Sequence, residues 1–278
     1  MKRFFTFFAA AAVFAATHGL YANANVGEVA VQSASMQRQI NATVVLPNSY
    51  GKNADKKYPV VYLLHGCADN YKTWANKTKP DLQNVASRFD IIFVCPDGLT
   101  SWYWDAPKNP KWKFETFVSK ELVDFVDSKY RTVASPKGRA IAGFSMGGHG
   151  ALWLGIRHAD VFGACASMSG GVDIRPFPEK WTMAKSLGDY AENPDIWNAH
   201  TVMTQLSKID PRNAPAIAID CGTSDIFYEV NEKLHEKMLY MRIPHEYTTR
   251  PGGHNHEYWR SSIDYNILFF SNFFNAQK

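Results

Sequence analysis

One serine in this 278-residue chain is set up for nucleophilic chemistry. The stretch Arg139-Ala140-Ile141-Ala142-Gly143-Phe144-Ser145-Met146-Gly147-Gly148 begins as a short apolar strand and ends in small residues that can open a helix. Within it, Gly143-Phe144-Ser145-Met146-Gly147 matches G-x-S-x-G, the pattern that carries a serine on a sharp strand-to-helix turn. Bulky neighbours at the two flanking positions would clash across so tight a turn, and glycine also tolerates unusual dihedrals. The turn lifts the Ser145 hydroxyl above the sheet edge. It also aims the Met146 backbone N–H, at the helix N-terminus, at whatever carbonyl the serine attacks. The bare pattern is short enough to arise by chance as a small-residue turn. Its surroundings favour chemistry, because an apolar strand precedes it and a helix-like run, residues 150–157, follows.

A serine hydroxyl is a poor nucleophile without a base and an acid that orients the base. Behind such an elbow the acid and then the histidine follow on loops at the carboxyl ends of later strands. Two stretches fit. Gly222-Thr223-Ser224-Asp225 follows a strand-like run ending at Cys221, and Arg250-Pro251-Gly252-Gly253-His254 follows another ending near Thr249. Asp225 is the candidate acid, although aspartate at such a place also caps turns and helices. Asp220 competes with it, but lies within the strand, where its side chain points into one face. His254 follows two glycines that let the loop turn a ring toward Ser145, and it is preferred to His256, which sits at a helix start. His149, His158, His200, His235 and His245 fall in helical or strand contexts and read as structural. A tetrahedral oxyanion needs a second N–H from the loop after the early central strand, and His65-Gly66-Cys67 is that loop. The Cys67 amide is therefore the partner of the Met146 amide, and the Cys67 side chain is incidental. An ordinary strand-ending turn is the plainer reading of His65-Gly66.

The elements that must hold these groups can be followed along the chain. Residues 35–46 alternate around Ile40, Ala42 and Val44, as an antiparallel edge strand would. Residues 58–64 form a continuous apolar run, expected of a central strand covered on both faces, and residues 91–95 form another. A helix is expected near 81–89, and a helical period runs through 114–130. Further strands are expected over 161–168, 215–221 and 243–249, with helices over 228–241 and 257–274. Residues 170–200 lack a strong period and carry Phe177, Trp181, Tyr190 and Trp197; they read as a lid-like insertion with short helices. Alternating strands and helices imply an α/β fold, a mainly parallel sheet with helices on both faces. The length suits one domain over residues 25–278.

Composition narrows the function classes. Met1-Lys2-Arg3, an apolar stretch over 4–16, and Ala22-Asn23-Ala24 together read as a signal peptide, residues 1–24. The mature chain is then expected to be secreted or periplasmic, with no stable membrane insertion after cleavage. Its removal takes away Lys2 and Arg3 and no acid, lowering the formal charge from +4 to +2. That is too weak and too evenly spread to argue for nucleic acid or a charged membrane surface. Cys67, Cys95, Cys165 and Cys221 have neither C-x-x-C nor zinc spacing, and sit in or beside apolar strand-like runs; buried free thiols are the preferred reading. No metal or organic cofactor is implied. Aromatic residues make up 14%. Most belong to a rich core, but those of the loop with Trp102, Trp104 and Trp112 and of the insertion could line a site. His65, Trp102 and Trp181 are the candidate substrate contacts.

At this point the chain resembles a known family, the esterase D / putative esterase family of α/β-hydrolases. The matching pieces are Tyr62-Leu63-Leu64-His65-Gly66, Trp74, Ser101-Trp102-Tyr103 with Asp105, Glu121-Leu122, the Ser145 elbow, Cys221-Gly222-Thr223-Ser224-Asp225, and Gly253-His254 with Glu257-Tyr258-Trp259. They span nearly the whole mature chain in family order. The resemblance implies an α/β-hydrolase fold with Ser145 as nucleophile, Asp225 as acid, His254 as base, and the Cys67 and Met146 amides as oxyanion hole. It departs from the family at Cys67, where an apolar residue is frequent, and at His256, where many members carry Trp. The activity expected is hydrolysis of acyl esters, of carbohydrates or hydroxycinnamates, as in feruloyl and acetyl-xylan esterases. Acyl transfer of the mycolyltransferase kind, siderophore or short-chain ester hydrolysis and S-formylglutathione hydrolysis are the alternatives, and a non-catalytic carbohydrate-binding role is the least favoured.

Overall fold

The computed structural model describes residues 25–210, 212 and 214–277. The expected signal peptide lies outside them. Four short apolar runs are buried along their whole length: β3 (Val60–Leu64), β4 (Ile92–Pro96), β5 (Arg139–Phe144) and β6 (Ala164–Met168). A strand with no polar face belongs in the middle of a sheet covered on both sides. Its neighbours are β7 (Ala216–Gly222), nearly as buried, and β8 (Glu246–Arg250), largely exposed as an edge strand is. The other edge is a hairpin of β1 (Val26–Ser33) and β2 (Arg38–Val45). The eight-stranded sheet runs β1-β2-β4-β3-β5-β6-β7-β8. β2 pairs antiparallel with β1 and β4, and every pair from β4 to β8 is parallel.

Nine α-helices connect or cover the strands: α1 (Leu82–Phe89), α2 (Phe114–Thr116), α3 (Leu122–Lys129), α4 (Met146–Arg157), α5 (Ala184–Leu187), α6 (Pro194–Ala199), α7 (Val202–Gln205), α8 (Tyr228–Tyr240) and α9 (His256–Asn275) among the described residues. The sheet separates two apolar layers. Val60, Tyr62 and Leu64 of β3 join Leu152, Leu234 and Met238 on one side, while Val61 and Leu63 join Ile263, Ile267 and Phe270 on the other. α4 is buried from Met146 to Ile156, as a helix apolar on all sides must be. No helix among the described residues is long and apolar enough to cross a membrane.

Register places the site. Leu64 pairs with Gly143, Phe144 with Met168, and Gly222 with Arg250, so the residues following β3, β5, β7 and β8 emerge along one edge of the sheet. That edge is where open α/β sheets gather their functional groups. Two local expectations change. β1 is a strand of its own, and the residues from Ser35 make the reversal, with Gln37 at φ +53. The stretch expected as one helix over 114–130 contains a π-helical turn, Phe117–Glu121, between α2 and α3. The 170–200 stretch carries the short helices α5 and α6, and its Val172, Ile174, Met183, Leu187 and Trp197 are buried in the core.

Candidate active site

The elbow depends on two close approaches. A Cβ at Gly143 would lie 2.3 Å from the Gly147 carbonyl oxygen, and one at Gly147 would lie 2.3 Å from that of Leu64. Only glycine lets α4 start this tightly against β5 and β3. Ser145 takes φ +58 and ψ −122, a conformation that costs a non-glycine residue about 1–3 kcal/mol. Hydrogen bonds on both sides hold it there: its N–H donates to Met168 O at 3.0 Å, and its carbonyl accepts from His149 N–H at 3.1 Å.

From the far strands come the two partners. His254 Nε2 lies 2.8 Å from Ser145 Oγ, and His254 Nδ1 lies 2.9 and 3.0 Å from the two Asp225 carboxylate oxygens. A carboxylate only accepts, so Nδ1 carries the proton and Nε2 presents its lone pair to the serine hydroxyl. Asp225 Oδ1 also accepts the Phe227 N–H at 2.8 Å, and its side chain is fully buried. The His254 ring, one-fifth exposed, is held edge-on by Phe227 at 5.2 Å and by Trp259 at 4.9 Å. Trp259 in turn stacks on Phe144, beside the serine, at 4.3 Å. The structure thus brings Ser145, His254 and Asp225 into one hydrogen-bonded line.

The other two predicted groups belong to the turn after β3 and to the first residue of α4, both adjoining Ser145. The turn after β3 presses on the elbow: a Cβ at Gly66 would lie 2.7 Å from the Phe144 ring and 3.2 Å from Ser145 Cβ. Asp69 N–H closes that turn on Gly66 O at 3.2 Å, with Ala68 at φ +67. Neither the Cys67 nor the Met146 N–H has a hydrogen-bond acceptor among the described residues. The half-buried Cys67 thiol is pushed above its ordinary pKa by burial, and the Asp69 charge adds to this, so it stays a weak nucleophile.

Other expectations are revised. His65 is fully buried: its Nδ1 is 2.8 Å from Gly66 O, and its Nε2 accepts the Gly98 N–H at 2.8 Å. With both nitrogens occupied, it ties two loops together and cannot touch substrate. Trp102 is 1% exposed, stacked on Trp104, so it forms a wall behind the site and not a contact surface. Trp181 is partly buried, between Trp102 at 5.9 Å and Phe227 at 5.2 Å, and so reaches the His254 surroundings through Phe227. Asp220, the competing acid, is salt-bridged to Arg250 inside the sheet. The competing base, His256, pairs with Thr78 Oγ1 at 2.9 Å, and burial lowers its pKa. All four cysteines are free, three of them buried. Among the described residues no group of three or more His, Cys, Asp or Glu is placed to hold a metal ion.

Several supports escaped the sequence. His149 is fully buried and, with its pKa driven down to about 3 by that burial, neutral. It accepts from Trp104 Nε1 at 2.9 Å and donates from Nδ1 to Gly171 O at 3.0 Å. Asn231 donates to Gly170 O at 2.9 Å and to Phe227 O at 2.8 Å. Together they fix the start of the insertion beside the elbow. Position within a helix was the only sequence signal for either residue.

Several known proteins are similar to this chain over most of its length. An esterase of Mycobacterium tuberculosis is 29% identical over 242 residues, covering 76% of this chain and 51% of the relative. The chain thus spans about half the length of that curated relative. An acetyl esterase of Caldicellulosiruptor saccharolyticus is 24% identical, covering 83% and 92%. Among solved structures, a ferulic acid esterase superposes with a TM-score of 0.78 at 29% identity, covering 90% of this chain and 98% of that one. An S-formylglutathione hydrolase from Agrobacterium tumefaciens, at 22% identity and a TM-score of 0.72, shares the fold over 89% of this chain and 94% of its own. The α/β-hydrolase architecture is common to these structures, the Putative esterase family model matches residues 33–270, and the chain belongs to that family.

Proposed function

We propose that the protein is an exported serine carboxylesterase, secreted or periplasmic, that acts through an acyl-enzyme. One observation carries the reading: a single imidazole lies 2.8 Å from the Ser145 hydroxyl and 2.9 Å from a buried carboxylate. In the mechanism Ser145 Oγ attacks the ester carbonyl while His254 Nε2 takes its proton. Asp225 holds the imidazole in the required tautomer and stabilises the imidazolium that forms. The Cys67 and Met146 amides receive the oxyanion, charge that develops only in the transition state. The imidazolium then protonates the departing alcohol, and water releases the acyl group by the same steps in reverse. No step calls for a metal or an organic cofactor.

The substrate class we favour is an acylated carbohydrate or a hydroxycinnamoyl ester. A relative named acetyl esterase and a solved structure named ferulic acid esterase support it. The test is a panel of p-nitrophenyl acetate, butyrate and octanoate with methyl ferulate and acetylated xylan, run on wild type and Ser145→Ala. Preference for ferulate or xylan acetate, lost in Ser145→Ala, is the expected result. Activity on short generic esters alone would remove the substrate assignment and keep the mechanism. Activity surviving Ser145→Ala would overturn both.

A further inference from the structure

We propose that the ion pair of Asp220 and Arg250, bridged by Ser262, positions the His254 loop against the Asp225 loop. The proposal rests on the serine-esterase reading above. β7 leads into Asp225, β8 leads into His254, and α9 starts two residues after His254. Arg250 joins all three. Its Nη2 lies 2.6 Å from Asp220 Oδ2 on β7 and donates to Ser262 Oγ on α9 at 2.8 Å. Ser262 donates in turn to Asp220 Oδ1 at 2.8 Å, which closes the ring of contacts. The guanidinium also lies over the α9 rings of Tyr265, at 4.3 Å, and Tyr258, at 5.4 Å. Its planar fork is suited to this combination of carboxylate, hydroxyl and ring faces.

Little chain separates this clamp from the imidazole. Only Pro251-Gly252-Gly253-His254 lie between Arg250 and Asn255, whose side chain caps α9 by accepting from Tyr258 N–H. Thr223 N–H donates to Arg250 O and Ser224 N–H to Gly252 O, both at 2.9 Å, so the two loops are laced together directly beyond the clamp. Gly252 has φ +150, and a Cβ there would lie 2.3 Å from the Tyr258 ring, one of the two rings over Arg250. A shift of Arg250 therefore passes into the backbone that carries His254. Asp220, Arg250 and Ser262 make no hydrogen bond to Ser145 or His254, so they act as positioning residues. Stability alone is a weak reason for the pair. Asp220 is 5% exposed, and a buried ion pair is often matched or bettered in stability by apolar residues of similar size. Directional geometry is what apolar replacements lack.

That contrast supplies the experiment. Asp220→Asn, Arg250→Met and the double variant Asp220→Leu/Arg250→Met are compared with wild type for melting temperature, kcat and KM on p-nitrophenyl acetate, and rate of fluorophosphonate labelling. Misplacing a reacting group by a fraction of an ångström to an ångström lowers kcat by about 10- to 100-fold, and KM is expected to stay within about twofold. Labelling should slow in parallel, and the downfield proton resonance of the His254–Asp225 hydrogen bond should broaden or move. The double variant is expected to melt near wild type yet keep the low kcat. A double variant with wild-type kcat and an unchanged downfield resonance would overturn the proposal. If the double variant does not fold, Ser262→Ala decides, since it removes only the bridging hydroxyl: a several-fold fall in kcat supports positioning, and wild-type kcat with an unmoved resonance refutes it. Failure of wild type to be labelled at all, or activity in Ser145→Ala, would count against the esterase reading and not against the clamp.

Discussion

Two carboxylate–histidine pairs among the described residues are equally short, and only one of the two histidines turns its other ring nitrogen to a serine hydroxyl. Asp225 and His254 are 2.9 Å apart, and the second ring nitrogen of His254 faces Ser145. Glu115 and His158 are also 2.9 Å apart, but that carboxylate further accepts from Arg157 Nε at 2.8 Å and from Trp153 Nε1 at 2.9 Å. Burial alone would raise the Glu115 pKa, yet hydrogen bonds from His158, Arg157 and Trp153 outweigh it and hold the group at about 2. Glu115 is thus a locked counter-ion that pins α4 from outside, at the end opposite Ser145. Asp225 spends its oxygens on one backbone N–H and one imidazole, which leaves that imidazole a lone pair to use. The lesson is that the pair itself specifies no chemistry. What the second nitrogen meets, and how many other donors share the carboxylate, decide it.

The sharpest way to break the comparison is to remove each histidine. His254→Ala should lower kcat by about 10⁵-fold or more, and Asp225→Asn by about 10⁴-fold, as judged by steady-state hydrolysis of p-nitrophenyl acetate. His158→Gln should leave kcat within about threefold and act on stability instead. The next effect is on folding. The Glu115 carboxyl titrates at about 2 in the folded protein against 4.5 as a free side chain, so it contributes about 3 kcal/mol that is fully present above pH 5. As the folded value lies below the unfolded one, that contribution is lost as pH falls from about 5 toward about 2. Glu115→Gln should therefore destabilise at pH 7 and flatten the acid limb of a denaturation-midpoint profile; a limb as steep as wild type would show that other groups carry it. The smallest effect belongs to Cys67. Its proposed role uses the backbone N–H, so Cys67→Ala should change kcat by less than about threefold, whereas a larger loss would assign work to the side chain.

The elbow was legible because its physics is local: strand, two glycines, serine and helix are contiguous in sequence, and each glycine answers one close approach. His254 and Asp225 were legible for a related reason, since each follows a strand that ends at the same sheet edge. His65 was not. It looks like a site residue from its neighbours, and only the three-dimensional path of the loop through Gly98 shows that its ring is consumed in structure. Trp102 failed in the same way, since an aromatic loop can face solvent or turn inward, and composition does not tell which. β1 was missed because its hairpin reverses at Gln37 without the glycine or asparagine that usually marks positive φ. π-helical turns such as Phe117–Glu121 leave no periodic trace in five residues. The clamp of Asp220, Arg250 and Ser262 joins three elements distant in sequence, and no spacing rule reaches across them.

The four unpaired thiols have a consequence for how the chain matures. Cys95, Cys165 and Cys221 are buried, and Cys67 keeps a protonated, half-covered sulfur. No covalent cross-link therefore has to be made before the sheet is complete, and no oxidase or isomerase is needed to find a correct pairing. The fold is indifferent to the redox state of its surroundings: it should be reached equally in a reducing cytosol and in an oxidising compartment, with the same denaturation midpoint in the presence or absence of dithiothreitol. Among the four thiols only Cys67 is within reach of an oxidant, at the rim of the turn that packs against Ser145, so any thiol oxidation would begin beside the elbow and spare the three buried cysteines.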